Sequence, residues 1–210
     1  MHDVSEIDLE KNLIEENQEV ANEVNNFLRE HNIKSFNLVG SIGSGKTSLI
    51  KELSKDLSGV GAIVGDVSGK DDYDVLNEAG VPVVNLNTGK ECHLDANLVK
   101  DAIKELNLED LDYLFIENVG NLVCPVDFPV GADERIVVVS VTEGDDVVNK
   151  HPLLFKKSGV CVINKIDIAD AVDADVSRMV KDANRINPGI EVIKMSIKEG
   201  VGLSDFIELI

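Results

Sequence analysis

The chain has 210 residues and a formal net charge of −19, with 39 Asp and Glu against 20 Lys and Arg. That balance excludes a nucleic-acid backbone or an anionic membrane surface as partner, and no apolar run approaches the roughly 20 residues that a membrane-spanning helix needs. Hydrophobic residues make up 43% and aromatics only 4%, so Val, Ile and Leu must fill the core of what is most simply one domain.

The first 30 residues predict an amphipathic helix. Ile7, Leu13, Ile14, Val20, Ala21, Val24, Phe27 and Leu28 approximate helical spacing, and nine acids and two bases (Lys11 and Arg29) decorate the other face. The expected place of this helix is on the domain's own surface; a partner-docking arm is the alternative. Residues 1–32 thus form an N-terminal helix and residues 33–210 the main domain. Strand candidates begin near Ser35, Val60, Val81, Tyr113, Arg135, Val160 and Glu191 and alternate with helical stretches. This is the pattern of an α/β fold whose mostly parallel sheet is covered on both faces.

After the first strand, Gly40-Ser41-Ile42-Gly43-Ser44-Gly45-Lys46-Thr47 fills every position of G-x-x-x-x-G-K-[ST]. Strand, glycine-rich turn and helix N-terminus make a phosphate cradle, so the domain is expected to be a P-loop NTPase. The N–H groups of residues 43–48, from Gly43, Ser44 and Gly45 through to Ser48, can face the α- and β-phosphates. Lys46 would reach the β/γ oxygens, and the Thr47 hydroxyl would take a Mg²⁺ position.

The next strand ends at Gly65-Asp66, with Asp71 and Asp72 just beyond. A carboxylate here would stand beside the γ-phosphate, as cation ligand or as orienter of the attacking water. Helix capping is the alternative for Asp71. The strand Leu111–Ile116 ends in Glu117-Asn118-Val119-Gly120. Many phosphate-loop enzymes have Asp-x-x-Gly at this point; here Glu117 takes the acidic place, with an extra methylene of reach toward Mg²⁺.

Three cysteines and no signal peptide predict a reducing cytoplasm and no disulfide framework. Cys161 lies within a strand and reads as a small core residue. Cys92, beside His93, follows the third strand candidate and the polar stretch that ends in Lys90-Glu91; Cys124 lies four residues beyond Gly120. Two thiolates and an imidazole suit Zn²⁺ or Ni²⁺ and leave a tetrahedral site open for a further ligand or a second subunit. Two unrelated loop cysteines are the alternative. Both loops are expected at the C-terminal ends of strands, on the nucleotide face. His2, His31 and His151 are expected at the surface.

Asn164-Lys165-Ile166-Asp167, at the end of a late apolar strand, chooses the base. The Asp167 carboxylate accepts from both N1–H and the N2 amine of guanine, donors that adenine lacks. Such a site rejects the analogue by roughly 10⁴-fold. Asn164 would brace the loop, and the Lys165 stem would lie on the base. Ser196, Ile197 and Lys198 could offer backbone N–H groups to the guanine oxygen, or form an ordinary strand-to-helix turn.

These motifs together, with Glu117 to Pro125 the most specific piece, resemble the HypB family, the hydrogenase-maturation nickel-insertion GTPases. The resemblance covers residues 33–210. It implies GTP hydrolysis with Mg²⁺ held through Thr47, Asp72 and Glu117, catalytic roles for Lys46, Asp66 and Asp72, and Asp72 near the hydrolytic water. It also implies a GTP-dependent homodimer with a Zn²⁺ or Ni²⁺ site from Cys92, His93 and Cys124 at the subunit interface, and Lys150 contacting nucleotide across the dimer. A second nickel chaperone and the hydrogenase large-subunit precursor are the implied partners. Val67-Ser68-Gly69 departs from the Gln-Gln-Thr usual after Gly-Asp, and the Met1-His2-Asp3-Val4-Ser5 start lacks the Cys-x-x-Cys-Gly-Cys motif or histidine tract of many members. A partner is therefore expected to deliver the metal. The alternatives are a sister GTPase serving urease or a cobalamin enzyme, a regulatory GTPase with incidental cysteines, and a small-molecule phosphotransferase.

Overall fold

A computed structural model of the chain describes residues 4–89 and 92–210, with side chains from residue 12 onward. The expected surface position of His2, the places of Lys90 and Glu91, and the side chains of Ile7 and Lys11 lie outside the described residues.

Seven strands form one wholly parallel sheet: β1 (Lys34–Val39), β2 (Val60–Asp66), β3 (Val83–Asn87), β4 (Tyr113–Glu117), β5 (Glu134–Ser140), β6 (Val160–Asn164) and β7 (Glu191–Lys194). Their order across the sheet is β3-β2-β4-β1-β5-β6-β7. The helices are α1 (Val4–Glu30), α2 (Lys46–Asp56), α3 (Asp71–Glu78), α4 (Ala96–Ile103), α5 (Val147–Lys150), α6 (Pro152–Lys156), α7 (Val176–Ile186) and α8 (Leu203–Leu209). Strand β3 starts two residues later than expected, because the Val81 N–H turns back to Leu76 O and Pro82 has no N–H to give a ladder.

Because side chains alternate across a strand, nearly continuous apolar runs feed two cores. Leu38, Ile136, Val138 and Val162 face α2 and α8, packing with Leu49, Ile50, Leu53 and Phe206. Val39, Val137, Val139, Cys161 and Ile163 face the other way, against Val148, Leu154, Phe155 and Met179. Each such side chain contributes about 1.5–3 kcal/mol when fully buried.

Helix α1 completes the second face. Ala21, Val24 and Leu28 are buried, and Val24 and Leu28 pack with Ile63, Leu114, Val99 and Ile103. Leu13 and Phe27, expected on the apolar side, are instead 57% and 41% exposed. The buried stripe is narrower than the hydrophobic pattern, and the first of its described members is polar, Asn17. Asn17 binds two distant backbones: Nδ2 donates to Pro129 O at 2.9 Å, and Oδ1 accepts from Ala96 N at 2.8 Å. Among the described residues no helix is long and apolar enough to cross a membrane.

Candidate functional site

β1 lies at the centre of the sheet with β4 and β5 on either side, and the chain leaves its C-terminal edge as residues 40–47. This is the crevice at which open parallel sheets bind ligands. The turn depends on glycine. Gly45 has φ +108°, and a Cβ there would stand 2.3 Å from Asn164 Nδ2; Gly40 approaches Val138 O so closely that a Cβ would come within 2.1 Å. Helix α2 starts at Lys46, and its first N–H groups have no acceptor within the helix. The Ser44 N–H is the exception in the cradle, turned toward Ser41 O at 3.3 Å.

The turn borders a cavity of about 490 Å³ lined by Gly43, Gly45, Lys46, Thr47, Ser48, Asp66, Asp71, Asp72, Glu117 and Lys165. Lys46 is buried and donates to Gly40 O and Ser41 O, both at 3.2 Å, while its Nζ lies 3.7 Å from Glu117 Oε1. The Thr47 hydroxyl stands 2.7 Å from Asp72 Oδ1 and 3.0 Å from Glu117 Oε1. One hydroxyl proton cannot serve two carboxylates at once. Burial pushes the Glu117 carboxyl up to about 7; Lys46 opposes that rise, Asp72 adds to it, and Thr47 opposes it.

Among the described residues, Glu117 Oε2, Ser41 Oγ and Ser44 Oγ are buried without a hydrogen-bond partner. Buried polar atoms are nearly always satisfied. Orphaned oxygens beside a buried lysine, paired carboxylates and a helix N-terminus fit a polyanion with its divalent cation.

The Asn164-Lys165-Ile166-Asp167 segment meets the turn of residues 40–47 through Asn164. Its Nδ2 donates to Ser44 O at 2.8 Å, and its Oδ1 accepts from Ile197 N at 3.3 Å. Asp167 Oδ1 accepts from the Ser196 hydroxyl at 2.7 Å. The Ser196 N–H is already committed to Val201 O, so of the three amides considered for a base oxygen, only that of Lys198 is left uncommitted. Lys165 occupies a left-handed conformation, φ 62°, which turns Ile166-Asp167 out of the strand direction. Lys150 is not among the residues lining the cavity and pairs with Asp146 at 2.7 Å.

The thiols are dispersed. Cys161 is fully buried, which pushes its thiol up to about 12, the chemistry of an inert core residue. Cys92 and Cys124 are half-buried. The His93 ring stacks on Phe128, with centroids 4.0 Å apart, and Cys92 Sγ lies 3.9 Å from His93 Nδ1. Among the described residues, no three His, Cys, Asp or Glu side chains form an ion-holding group, so Cys92, His93 and Cys124 are not gathered within the chain. His31 is exposed, as expected; His151 is only partly so, with Nδ1 3.1 Å from Val147 O.

The polar side chains that knit the site were not among the expected residues. Asn118 Oδ1 accepts from Leu94 N at 3.0 Å, and Asn121 Oδ1 accepts from Val123 N at 2.7 Å and Cys124 N at 3.3 Å. Their signal in the sequence was the density of asparagine around Glu117, a residue type that bonds backbone in turns.

Comparison with known proteins agrees with this geometry. A family model described as CobW/HypB/UreG, nucleotide-binding domain, matches residues 34–194. The chain is 48% identical over its whole length to a probable hydrogenase maturation factor HypB of Methanocaldococcus jannaschii, covering 96% of that protein. It is similar to the crystal structure of HypB from Archaeoglobus fulgidus (TM-score 0.86, 45% identity, 92% of this chain and 96% of that one). It is also similar to that of Helicobacter pylori HypB in complex with nickel (TM-score 0.88, 34% identity, 92% and 93%). With a wholly parallel P-loop sheet, a nucleotide-binding domain and full-length similarity of this degree, the chain belongs to the HypB hydrogenase maturation factors of the CobW/HypB/UreG family.

Proposed function

We propose that this protein is a GTPase that hydrolyses GTP to GDP and phosphate and supports nickel insertion during [NiFe]-hydrogenase maturation. The observation that carries the hydrolytic reading is Thr47, whose hydroxyl lies between Asp72 and Glu117 beside the buried Lys46. Thr47, Asp72 and Glu117 would hold Mg²⁺, which supplies positive charge at the β/γ oxygens. Lys46, released from the Gly40 and Ser41 carbonyls, and the N–H groups at the start of α2 stabilise charge on the transferring phosphoryl group. Asp72, with Asp66 beside it on the cavity wall, orients the attacking water. Asp167, braced by Ser196, accepts from guanine; the Lys165 stem lies on the base and the Lys198 N–H serves its oxygen.

GTP binding brings two copies together across the nucleotide face, where Lys150 reaches the partner's nucleotide. The apolar residues lining the cavity support this face: Ile42 is 87% exposed, and Val67 and Val75 are also exposed. Such exposed side chains gathered on one face are characteristic of an interaction site. Cys92, His93 and Cys124 of the two copies together hold Ni²⁺ or Zn²⁺, received from a second nickel chaperone and passed toward the hydrogenase large-subunit precursor in the cytoplasm. Residues 33–210 form the GTPase domain, with residues 1–32 as a helix docked on it.

Turnover without any phosphate acceptor tests the enzymatic core. GTP is consumed while ATP is not, and Lys46→Ala lowers the rate by about 10²-fold or more. Equal use of ATP, or consumption only with an added acceptor, would overturn the reading.

A further inference from the structure

The segment from Glu117 to Cys124 carries two asparagines that the roles above leave unused. Asn118 is buried at the end of β4. Its N–H donates to Leu38 O on β1 at 2.9 Å, and its Oδ1 accepts from Leu94 N at 3.0 Å. Leu94 is itself fully buried and directly follows His93. The Cys92–His93 segment is thus tied to the central strands of the sheet.

Asn121 is tied elsewhere. Its backbone makes an antiparallel bridge with Gly40, the first glycine of the phosphate turn. Its side chain takes both backbone N–H groups leading into Cys124, and its Nδ2 donates to Cys124 Sγ at 3.3 Å. Between the two asparagines, Gly120 lies against the turn so closely that a Cβ would come 2.3 Å from Ile42 Cγ1. The phosphate turn and the Cys124 sulfur therefore share one residue. The imidazole side is anchored instead to the sheet, through Asn118 and Leu94.

We propose that Asn121 is the positioning residue by which the nucleotide state of the phosphate turn sets where the Cys124 sulfur stands relative to the Cys92–His93 segment, held fixed by Asn118. This rests on reading Cys92, His93 and Cys124 as metal ligands that respond to GTP. A shift of Gly40 and Ile42 on engaging a γ-phosphate drags Asn121 through its main chain, and the side chain carries Cys124 with it. Without that side chain the turn still binds nucleotide, but the sulfur no longer follows.

The test is Ni²⁺ affinity, measured by competition with a chromophoric chelator on the full chain, with GDP and with a non-hydrolysable GTP analogue. GTP affinity and thermal unfolding are followed in parallel. The wild-type protein shows an affinity ratio between the two nucleotide states of about tenfold, a usual size for coupled sites. In Asn121→Ala the ratio falls to within about twofold, while GTP affinity changes by less than about twofold. Asn121→Asp, which keeps an acceptor for the Val123 and Cys124 N–H groups, regains most of the ratio. An undiminished ratio in Asn121→Ala, with the wild-type ratio present, overturns the role of Asn121 and leaves the metal reading standing. Absence of any ratio in the wild-type protein overturns the metal reading and this inference with it.

Discussion

Lys46 and Glu117 face each other in a buried pair, Nζ to Oε1 3.7 Å, with their side chains only 6% and 3% exposed. The pair is longer than a hydrogen bond because Lys46 spends its protons on two phosphate-turn carbonyls. Glu117 is left under-compensated, and burial lifts it from 4.5 to about 7.

That lift has a sign in the stability of the nucleotide-free protein. A carboxyl raised on folding binds its proton more tightly in the native state. Its contribution is complete below pH 4.5 and is lost as pH rises through about 7. Glu117→Gln removes the titration. The wild-type-minus-variant difference in unfolding free energy therefore falls by on the order of 3 kcal/mol across that window. Urea unfolding at several pH values measures it; a pH-independent difference would contradict the assignment.

Gly45→Ala tests the geometry of the turn. The added Cβ must displace Asn164 Nδ2 from 2.3 Å and hold a φ of +108°. A loss of roughly 1–3 kcal/mol in unfolding free energy is expected, together with weakened GTP binding, because Asn164 joins Ser44 to Ile197. Calorimetric titration with GTP reads the second effect. Unchanged binding and stability would mean that the turn opens freely.

Asp167→Asn exchanges the acceptor expected to meet the guanine N1–H and N2 amine. GTP affinity drops by about 10²-fold or more, while the affinity for xanthosine triphosphate, which carries an oxygen at position 2, rises. Fluorescent-nucleotide competition measures both. Parallel loss of both nucleotides would indicate collapse of the Asp167–Ser196 contact rather than a change in base recognition.

Much of this architecture is legible in the residues. The phosphate turn announces itself through a complete pattern set between an apolar strand and a helix. All seven strands stand within two residues of their expected starts, because a sheet buried on both faces writes near-continuous Val and Ile runs. Pro82 shifts β3, a local effect of a missing donor. What escaped was long-range polar contact. Asn17 reaches Ala96 and Pro129, and Asn118 reaches Leu94. Such bonds have no periodicity and leave no mark on a hydrophobic pattern. The same holds for Leu13 and Phe27, apolar at helical spacing yet exposed. Periodicity places a side chain on a helix face but not the edge of the surface that covers it.

The proposed metal site depends most on what the chain does not assemble by itself, since among the described residues Cys124 does not join Cys92 and His93 into an ion-holding group. Sedimentation of the wild-type protein and Cys124→Ala with a non-hydrolysable GTP analogue, followed by metal analysis of the sedimenting species, tests the central claim. The analogue is expected to double the mass of both proteins; bound Ni²⁺ or Zn²⁺ travels with the wild-type dimer, and the variant dimer loses most of it with GTP affinity intact. A mass that ignores the nucleotide, or equal metal content in the two proteins, would contradict that claim.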